Sequence, residues 1–215
     1  MRIFMDTANI DEIRRGAALG VVDGVTTNPS LLAREGVEYR DRVLEICSVV
    51  DGPISAECIS MELEPLLAEA RRIAAWHENV VVKIAMNEVG LQAIKQLAKE
   101  GIKVNTTLIF SANQALLAAK AGAAYVSPFI GRLNDAGQDG MAVVRESVRI
   151  FDAFHLPTQV LAASVRGARD VTECALAGAH VATIPSAVLF AMIQHPLTDR
   201  GIEIFLRDAQ KYTAV

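Results

Sequence analysis

Cysteine is scarce in this sequence, which has 3 such residues among 215, at positions 47, 58 and 174. No two of them share a CxxC spacing and the number is odd, so a disulfide framework is not expected. Together with the absence of a signal peptide, this predicts a reducing, cytoplasmic environment. No apolar run reaches about eighteen residues, so no membrane span is predicted.

Histidine, aromatic side chains and positive charge are also sparse. The 4 histidines are scattered and form no HExxH or similar motif, so no metal site is predicted. Aromatic residues make up 5% of the chain and form no stacking platform, and the formal net charge is -4. Both features disfavour a protein that binds nucleic acid.

The sequence does contain a regular alternation of short apolar runs and longer helical patterns. Its 52% hydrophobic and 21% charged residues are sufficient for a sizeable core, and we expect residues 1–215 to form a single domain. Strands are predicted at Arg2–Met5, Val21–Val25, Pro53–Glu57, Asn79–Ile84, Ile102–Thr107, Ala124–Pro128, Thr158–Ala162 and His180–Ile184. Helices are predicted at Ile10–Ala18, Tyr39–Val50, Leu63–Trp76, Val89–Glu100, Ala112–Ala121, Met141–Phe154, Ala168–Ala177 and Ala187–Ile193.

This repeat predicts an α/β protein, a (β/α)8 TIM barrel. An open doubly wound sheet is the alternative, but it would require a glycine-rich phosphate turn after an early strand, and no GxGxxG or Walker sequence is present. The apolar segment Gly201–Lys211 follows the eighth unit. It predicts an extra C-terminal helix, within an arm of residues 201–215 that docks on the barrel or on a neighbouring subunit.

Polar side chains stand at the end of nearly every predicted strand, where a barrel of this kind holds its active site. A barrel that served only as a scaffold would not need them. They are Asp6, Thr26, Asn28, Glu57, Lys83, Asn105, Thr107, Ser127, Arg132, Ser164 and Arg166.

Lys83 is the most informative of these residues because it follows three valines in a buried strand. Burial lowers the pKa of a lysine and leaves more free amine to attack a carbonyl. Asp6 and Glu57 could then transfer protons for a Schiff-base reaction. The alternatives are a lysine that reaches solvent and carboxylates that only form an ion pair with it.

Arg132 and Arg166 follow the sixth and seventh predicted strands. Two guanidinium groups on neighbouring parts of a barrel rim can hold a phosphate group through charge-assisted hydrogen bonds. The alternative is that both are ordinary surface arginines.

Taken together, six ordered motifs resemble the small-subunit transaldolase family, which includes the fructose-6-phosphate aldolases. The resemblance runs almost from end to end of the chain. The motifs are Met5–Asn9, Gly24–Leu31, Val81–Ile84, Asn105–Ser111, Ser127–Arg132 and Ala162–Arg166.

The resemblance implies class I chemistry without a cofactor, on sugar-phosphate substrates. Lys83 would form the Schiff base, Glu57 and Thr107 would move protons through a shared water, and Asp6 would take the proton of the C4 hydroxyl. A dihydroxyacetone unit would pass from fructose 6-phosphate or sedoheptulose 7-phosphate to erythrose 4-phosphate or glyceraldehyde 3-phosphate, in the pentose phosphate pathway. The resemblance assigns the donor pocket to Thr26, Asn28, Asn105 and Ser127, and the phosphate to Arg132, Ser164 and Arg166. It also implies a homo-oligomer, commonly a decamer built from two pentamers.

Three residues separate the two activities of this family. Fructose-6-phosphate aldolases resemble this chain but have Gln in place of Glu57 and Tyr in place of Phe129, and they tend to have Lys in place of Arg166. The pattern here therefore favours a transaldolase. The alternatives are a fructose-6-phosphate aldolase, which is a lyase, and a sugar-phosphate-binding barrel without catalysis.

Two loops are predicted at the active-site end of the barrel, one after Lys83 and one at Gly131–Gly140. After Lys83 the family usually has Ile-Pro, whereas Ile84 is followed here by Ala85, which restores a backbone N–H. Asn87 can cap the next helix. The segment Gly131–Gly140 is predicted to be a loop that becomes ordered when substrate binds.

Overall fold

The computed structural model describes residues 1–212 and shows eight parallel strands that close into a barrel in chain order. The last strand pairs with the first, so the sheet has no free edge. The predicted (β/α)8 barrel is therefore confirmed. The strands are β1 (Arg2–Asp6), β2 (Gly24–Thr26), β3 (Ile54–Glu57), β4 (Val80–Ala85), β5 (Val104–Ile109), β6 (Tyr125–Pro128), β7 (Gln159–Ala162) and β8 (Val181–Ile184).

Helices follow every strand and form the outer layer. They are α1 (Ile10–Ala17), α2 (Pro29–Glu35), α3 (Tyr39–Val49), α4 (Leu63–Ala74), α5 (Glu88–Lys99), α6 (Ala112–Ala121), α7 (Ile130–Asp135), α8 (Gly140–Ala153), α9 (Ala168–Leu176), α10 (Ser186–Ala191) and α11 (Pro196–Ala209). Within the described residues, none of these helices is long and apolar enough to cross a membrane.

The two-residue alternation of β4 explains why Lys83 faces the barrel interior. Val80 and Val82 pack in the core between the strands and the helices. Val81 packs instead in a second, smaller apolar cluster. Since side chains alternate along a strand, Lys83 shares the inward face of Val81. The smaller cluster is formed by Phe4, Val81, Tyr125, Leu161, Ala163 and Val181.

Helix α2 was not predicted, although its signals are present in the sequence. The Asn28 side chain accepts a hydrogen bond from the Leu31 backbone N–H at 3.0 Å, and Pro29 occupies the first turn. Gly36 ends the helix with a φ of 63°, which glycine adopts without strain. The helix places Arg34 at the mouth of the barrel.

Helix α7 corrects the expectation of a loop at Gly131–Gly140. The chain is helical up to Asp135, and only a short turn separates α7 from α8. The Gln138 N–H donates to the Leu133 carbonyl at 2.9 Å and closes this turn. The cap predicted at Asn87 is confirmed, since its side chain accepts a hydrogen bond from the Gly90 N–H at 2.7 Å.

The extra C-terminal helix is confirmed, but it begins at Pro196 rather than at Gly201. The His195 imidazole caps it by accepting a hydrogen bond from the Leu197 N–H at 3.1 Å, and proline suits a first helical turn. None of the residues of α11 is buried. Residues 213–215 of the predicted arm lie outside the described residues.

Candidate active site

A cavity of about 590 Å³ lies at the carboxyl ends of the strands. The structure brings all the sequence-predicted site residues to its wall: Asp6, Thr26, Asn28, Glu57, Lys83, Asn105, Thr107, Ser127, Phe129, Arg132, Ser164 and Arg166. Residues that sequence reasoning missed complete the lining: Pro29, Ser30, Leu31, Arg34, Leu108, Ala163, Val165, Thr183 and Pro185. Most of these missed residues belong to the rim loops or to α2.

Lys83 lies between a carboxylate and a carbonyl at the end of β4. Its Nζ is 3.0 Å from Oε2 of Glu57 and donates a hydrogen bond to the Thr27 carbonyl at 3.0 Å. The side chain is only 8% exposed. Glu57 and Lys83 are direct neighbours in the pairing of β3 with β4, so the register itself creates this ion pair. The carboxylate is therefore placed to take a proton from the lysine.

Asp6 lies at the end of β1 and receives a short hydrogen bond. The Thr26 hydroxyl donates to its Oδ1 at 2.7 Å, and the Thr26 and Thr183 hydroxyl oxygens are 2.6 Å apart. Since Thr26 gives its only proton to Asp6, Thr183 must donate to Thr26. Burial raises the pKa of Asp6, while the Thr26 hydrogen bond and the charge of Lys83 partly oppose that shift.

A second hydrogen-bonded group lies on strands β3, β5 and β6. The Ser127 hydroxyl donates to Oδ1 of Asn105 at 2.7 Å, and Nδ2 of Asn105 donates to the Ser55 hydroxyl at 3.2 Å. All three side chains are buried. Thr107 is also buried, but its hydroxyl has no hydrogen-bond partner within the described part of the chain. That hydroxyl is free to bind a ligand or a water.

Arg132, Ser164 and Arg166 form the opposite, more exposed end of the cavity. The Arg132 guanidinium lies 5.0 Å from the ring centroid of Phe129, within the range of a cation–π contact. Nη2 of Arg166 is 2.7 Å from Oδ2 of Asp135. Phe129 in turn packs edge-on against Phe110, with ring centroids 5.7 Å apart. The cavity thus runs from a buried lysine to an exposed pair of arginines.

Two residues of the cavity wall have strained backbones. Leu108 and Ser164 have φ values of 59° and 60°, a conformation that costs a non-glycine residue roughly 1–2 kcal/mol. Leu108 lies where the pairing of β5 with β6 shifts register. The surrounding strands must hold both residues in place, which is common where a side chain has to be aimed at a ligand.

Other kinds of site find little support in the described residues. They contain no group of three or more His, Cys, Asp or Glu side chains arranged to hold a metal ion. Cys47, Cys58 and Cys174 are buried free thiols, and burial raises the pKa of Cys58 to about 12. The Cys58 thiol is thus poorly suited to act as a nucleophile.

The closed barrel, with a buried lysine and two carboxylates in a cavity at the carboxyl ends of its strands, defines a (β/α)8-barrel enzyme. Residues 3–214 match the family model described as Transaldolase/Fructose-6-phosphate aldolase. The chain belongs to this family and is an enzyme of the transaldolase family.

Curated relatives agree with this assignment. A protein named "Probable transaldolase" from Herpetosiphon aurantiacus is 56% identical over 211 residues, covering 98% of this chain and 96% of the relative. Another of that name, from Desulforudis audaxviator, is 59% identical over 208 residues and 97% of each chain. The solved thiamine phosphate pyrophosphorylase of Pyrococcus furiosus has a TM-score of 0.59 at 16% identity over 87% of each chain, which supports the fold alone.

The raised pKa of Asp6 gives a testable dependence of stability on pH. The folded protein binds the Asp6 proton more tightly than the unfolded chain does, so this residue lowers the free energy of unfolding as the pH rises through the two pKa values. Asp6→Asn removes the carboxyl group and with it this pH-dependent fall in the free energy of unfolding. We expect the change to favour stability more at about pH 7 than at about pH 4, as measured by denaturant unfolding at both values.

Asp139→Asn provides a control of opposite sign. The hydrogen bond from Arg145 lowers the pKa of Asp139, so its stabilising effect is present at neutral pH and lost as the pH falls. We expect Asp139→Asn to be less favourable at neutral than at acidic pH, by a small amount because the pair is exposed. Equal effects of Asp6→Asn at the two pH values would contradict the raised pKa.

Proposed function

We propose that this enzyme is a transaldolase that transfers a dihydroxyacetone unit from a ketose phosphate to an aldose phosphate through a Schiff base on Lys83. The observation that carries the proposal is the position of the Lys83 amine. It is buried, 3.0 Å from the Glu57 carboxylate, and lines the same cavity as Asp6. These are the groups that the chemistry needs: one nucleophile and two separate proton acceptors.

The first step joins the substrate to the lysine. Glu57 takes a proton from the Lys83 ammonium, and the free amine attacks the ketose carbonyl to form a carbinolamine. Glu57 then returns a proton to the carbinolamine hydroxyl, which leaves as water as the iminium forms. The Thr107 hydroxyl, which has no hydrogen-bond partner within residues 1–212, can hold the water through which this proton moves.

The second step breaks the carbon–carbon bond. Asp6 removes the proton of the C4 hydroxyl, the C3–C4 bond breaks, and its electron pair moves toward the iminium nitrogen to give an enamine on Lys83. The aldose phosphate leaves. An acceptor aldose phosphate then enters, the enamine carbon attacks its aldehyde, and Asp6 returns the proton. Water finally releases the new ketose phosphate from Lys83.

The remaining site residues hold the substrate at its two ends. Asn28, Asn105 and Ser127 contact the hydroxyl groups of the bound three-carbon unit, and Thr26 lines this pocket beside Asp6. Arg132, Ser164 and Arg166 bind the phosphate, because guanidinium groups form strong charge-assisted hydrogen bonds with it. The proposed donors are fructose 6-phosphate and sedoheptulose 7-phosphate, the acceptors erythrose 4-phosphate and glyceraldehyde 3-phosphate, and the pathway is the pentose phosphate pathway.

Transfer is preferred over simple cleavage because of Glu57 and Phe129. A phenol in place of Phe129 could donate a hydrogen bond to a water in the cavity and help to protonate the enamine, which would release dihydroxyacetone. Phe129 cannot donate such a bond. The relatives named "Probable transaldolase" support the same choice.

Borohydride trapping tests the Schiff base. With fructose 6-phosphate and borohydride, we expect a covalent three-carbon or six-carbon adduct on Lys83, detected by peptide mass spectrometry. Lys83→Met should lose the adduct and at least about a thousandfold of the transfer rate. The control is Lys95→Met, which removes an exposed lysine of α5. A wild-type protein that binds substrate without any adduct would favour the non-catalytic barrel.

Acceptor dependence separates transferase from lyase. Glyceraldehyde 3-phosphate formed from fructose 6-phosphate is measured with and without erythrose 4-phosphate, and we expect turnover to require the acceptor. Phe129→Tyr should increase acceptor-independent release, whereas Phe110→Tyr, at the neighbouring ring, should change it less. Equal turnover without acceptor in the wild type would identify a fructose-6-phosphate aldolase.

We further propose that the single-domain chain forms a homo-oligomer through α11. The support is a set of exposed apolar side chains on a helix with no buried residue, among them Ile202, Phe205 and Leu206. We expect sedimentation velocity to show an oligomer that Phe205→Glu dissociates. Phe154→Glu, which changes an equally exposed phenylalanine outside α11, should leave it intact. A monomeric wild type would contradict this proposal.

A further inference from the structure

The two arginines at the exposed end of the cavity, where we place the phosphate, have different side-chain partners. Arg132 contacts the Phe129 ring and has no carboxylate partner among the ion pairs of the described residues. Arg166, in contrast, has its Nη2 2.7 Å from Oδ2 of Asp135. Arg132 is therefore available to bind an anion, whereas Arg166 is already paired with the carboxylate of Asp135.

The carboxylate that holds Arg166 comes from the same short helix as Arg132. Asp135 follows Arg132 by three positions in α7, which puts both side chains on one face of that helix. The neighbouring Arg166 follows β7. A phosphate that contacts both guanidinium groups must therefore share Arg166 with the Asp135 carboxylate or displace it.

The strength of the contact favours displacement. The side chains of Arg166 and Asp135 are 60% and 64% exposed. Ion pairs in such surroundings are weak and screened by solvent. A phosphate dianion offers more charge and several acceptor oxygens, and arginine can bind it in a bidentate manner. Phosphate is thus the stronger ligand for Arg166.

Arg166 does not need Asp135 to hold its position. The backbone N–H groups of Arg166 and Gly167 donate to the Asp170 carboxylate at 2.8 and 3.1 Å, which fixes the turn. The Arg166 side chain then passes against Gly131, where an added Cβ would lie 2.7 Å from Nε. These two contacts set the course of the Arg166 side chain. Asp135 therefore competes with phosphate for Arg166 more than it orients Arg166.

We propose that Asp135 is an internal competitor for the phosphate subsite, which weakens phosphate binding by recapturing Arg166. This inference rests on the proposed function. In a transfer reaction the first aldose phosphate must leave while the three-carbon unit stays on Lys83, and a second one must then occupy the same subsite. A carboxylate that takes back the arginine makes this exchange easier, since it replaces the bond that departing phosphate gives up.

The test compares Asp135→Asn with the wild type in the full-length enzyme. The variant keeps the shape of the side chain and removes its charge. We expect the dissociation constant of inorganic phosphate, measured by isothermal titration calorimetry, to fall about two- to fivefold, the range given by an exposed ion pair. The KM for erythrose 4-phosphate should fall similarly, and the KM for unphosphorylated glyceraldehyde should not change. A purely structural role would not separate the two acceptors.

Asp139→Asn is the matched control. Asp139 lies four residues further on and forms an exposed ion pair at 2.6 Å with Arg145 instead of with Arg166. Because asparagine also caps helices, α8 keeps its N-cap. We expect phosphate binding to be unchanged in this variant.

The outcomes distinguish this inference from the proposed function. If Arg166→Gln weakens phosphate binding while Asp135→Asn leaves it unchanged or weakens it, the competitor role is overturned and the phosphate subsite stands. If wild-type enzyme fails to bind phosphate, or Arg166→Gln has no effect on binding, the phosphate subsite itself is wrong. Tighter phosphate binding in Asp135→Asn alone supports the inference.

Discussion

A charged group inside a barrel needs a partner of opposite charge close to it. The buried position of Lys83 therefore constrains the residues around it. Removing an ammonium group from water is costly, so a partner must lie within a few ångströms. Glu57 is that partner because β3 and β4 pair in the register that makes the two residues neighbours. The Thr27 carbonyl, directly after the end of β2, supplies a further acceptor. Two paired strands and the residue that follows a third thus make one buried amine tolerable.

This requirement also explains the division of the barrel interior into two zones. Below Lys83, the inward side chains form an apolar cluster that includes Phe4, Leu161 and Val181. Above that level most of the side chains that line the cavity are polar or charged, and the cavity opens toward solvent. Within the barrel interior, the apolar cluster fills one end of the strands and the cavity occupies the other, so the rim loops can vary without emptying that cluster.

The sequence was sufficient to predict the barrel and twelve of the residues that line its cavity, because these depend on strand periodicity and on motifs at strand ends. It did not predict α2 or α7, whose six or seven residues are too few for a helical pattern to emerge. The apolar segment Gly201–Lys211 indicated the last helix but not its first turn, which begins at Pro196. The roles of Thr183 and Asp135 were not predicted for another reason. Each matters through a contact with a distant part of the chain, Thr26 for one and Arg166 for the other, and no local pattern records such a contact.

The direction of the hydrogen bonds around the cavity has a consequence for how a substrate can enter. Ser127 commits its proton to Asn105 and Thr26 commits its proton to Asp6, so both hydroxyl oxygens face an incoming molecule as acceptors only. The arginines at the mouth can act only as donors. The wall is therefore polarised along its length: at depth it presents these lone pairs beside the Lys83 amine, and at the rim it presents the N–H groups of the arginines. A molecule with hydroxyl groups at one end and an anionic group at the other can form hydrogen bonds with this wall when its hydroxyl end enters first. In the reversed orientation it cannot form them.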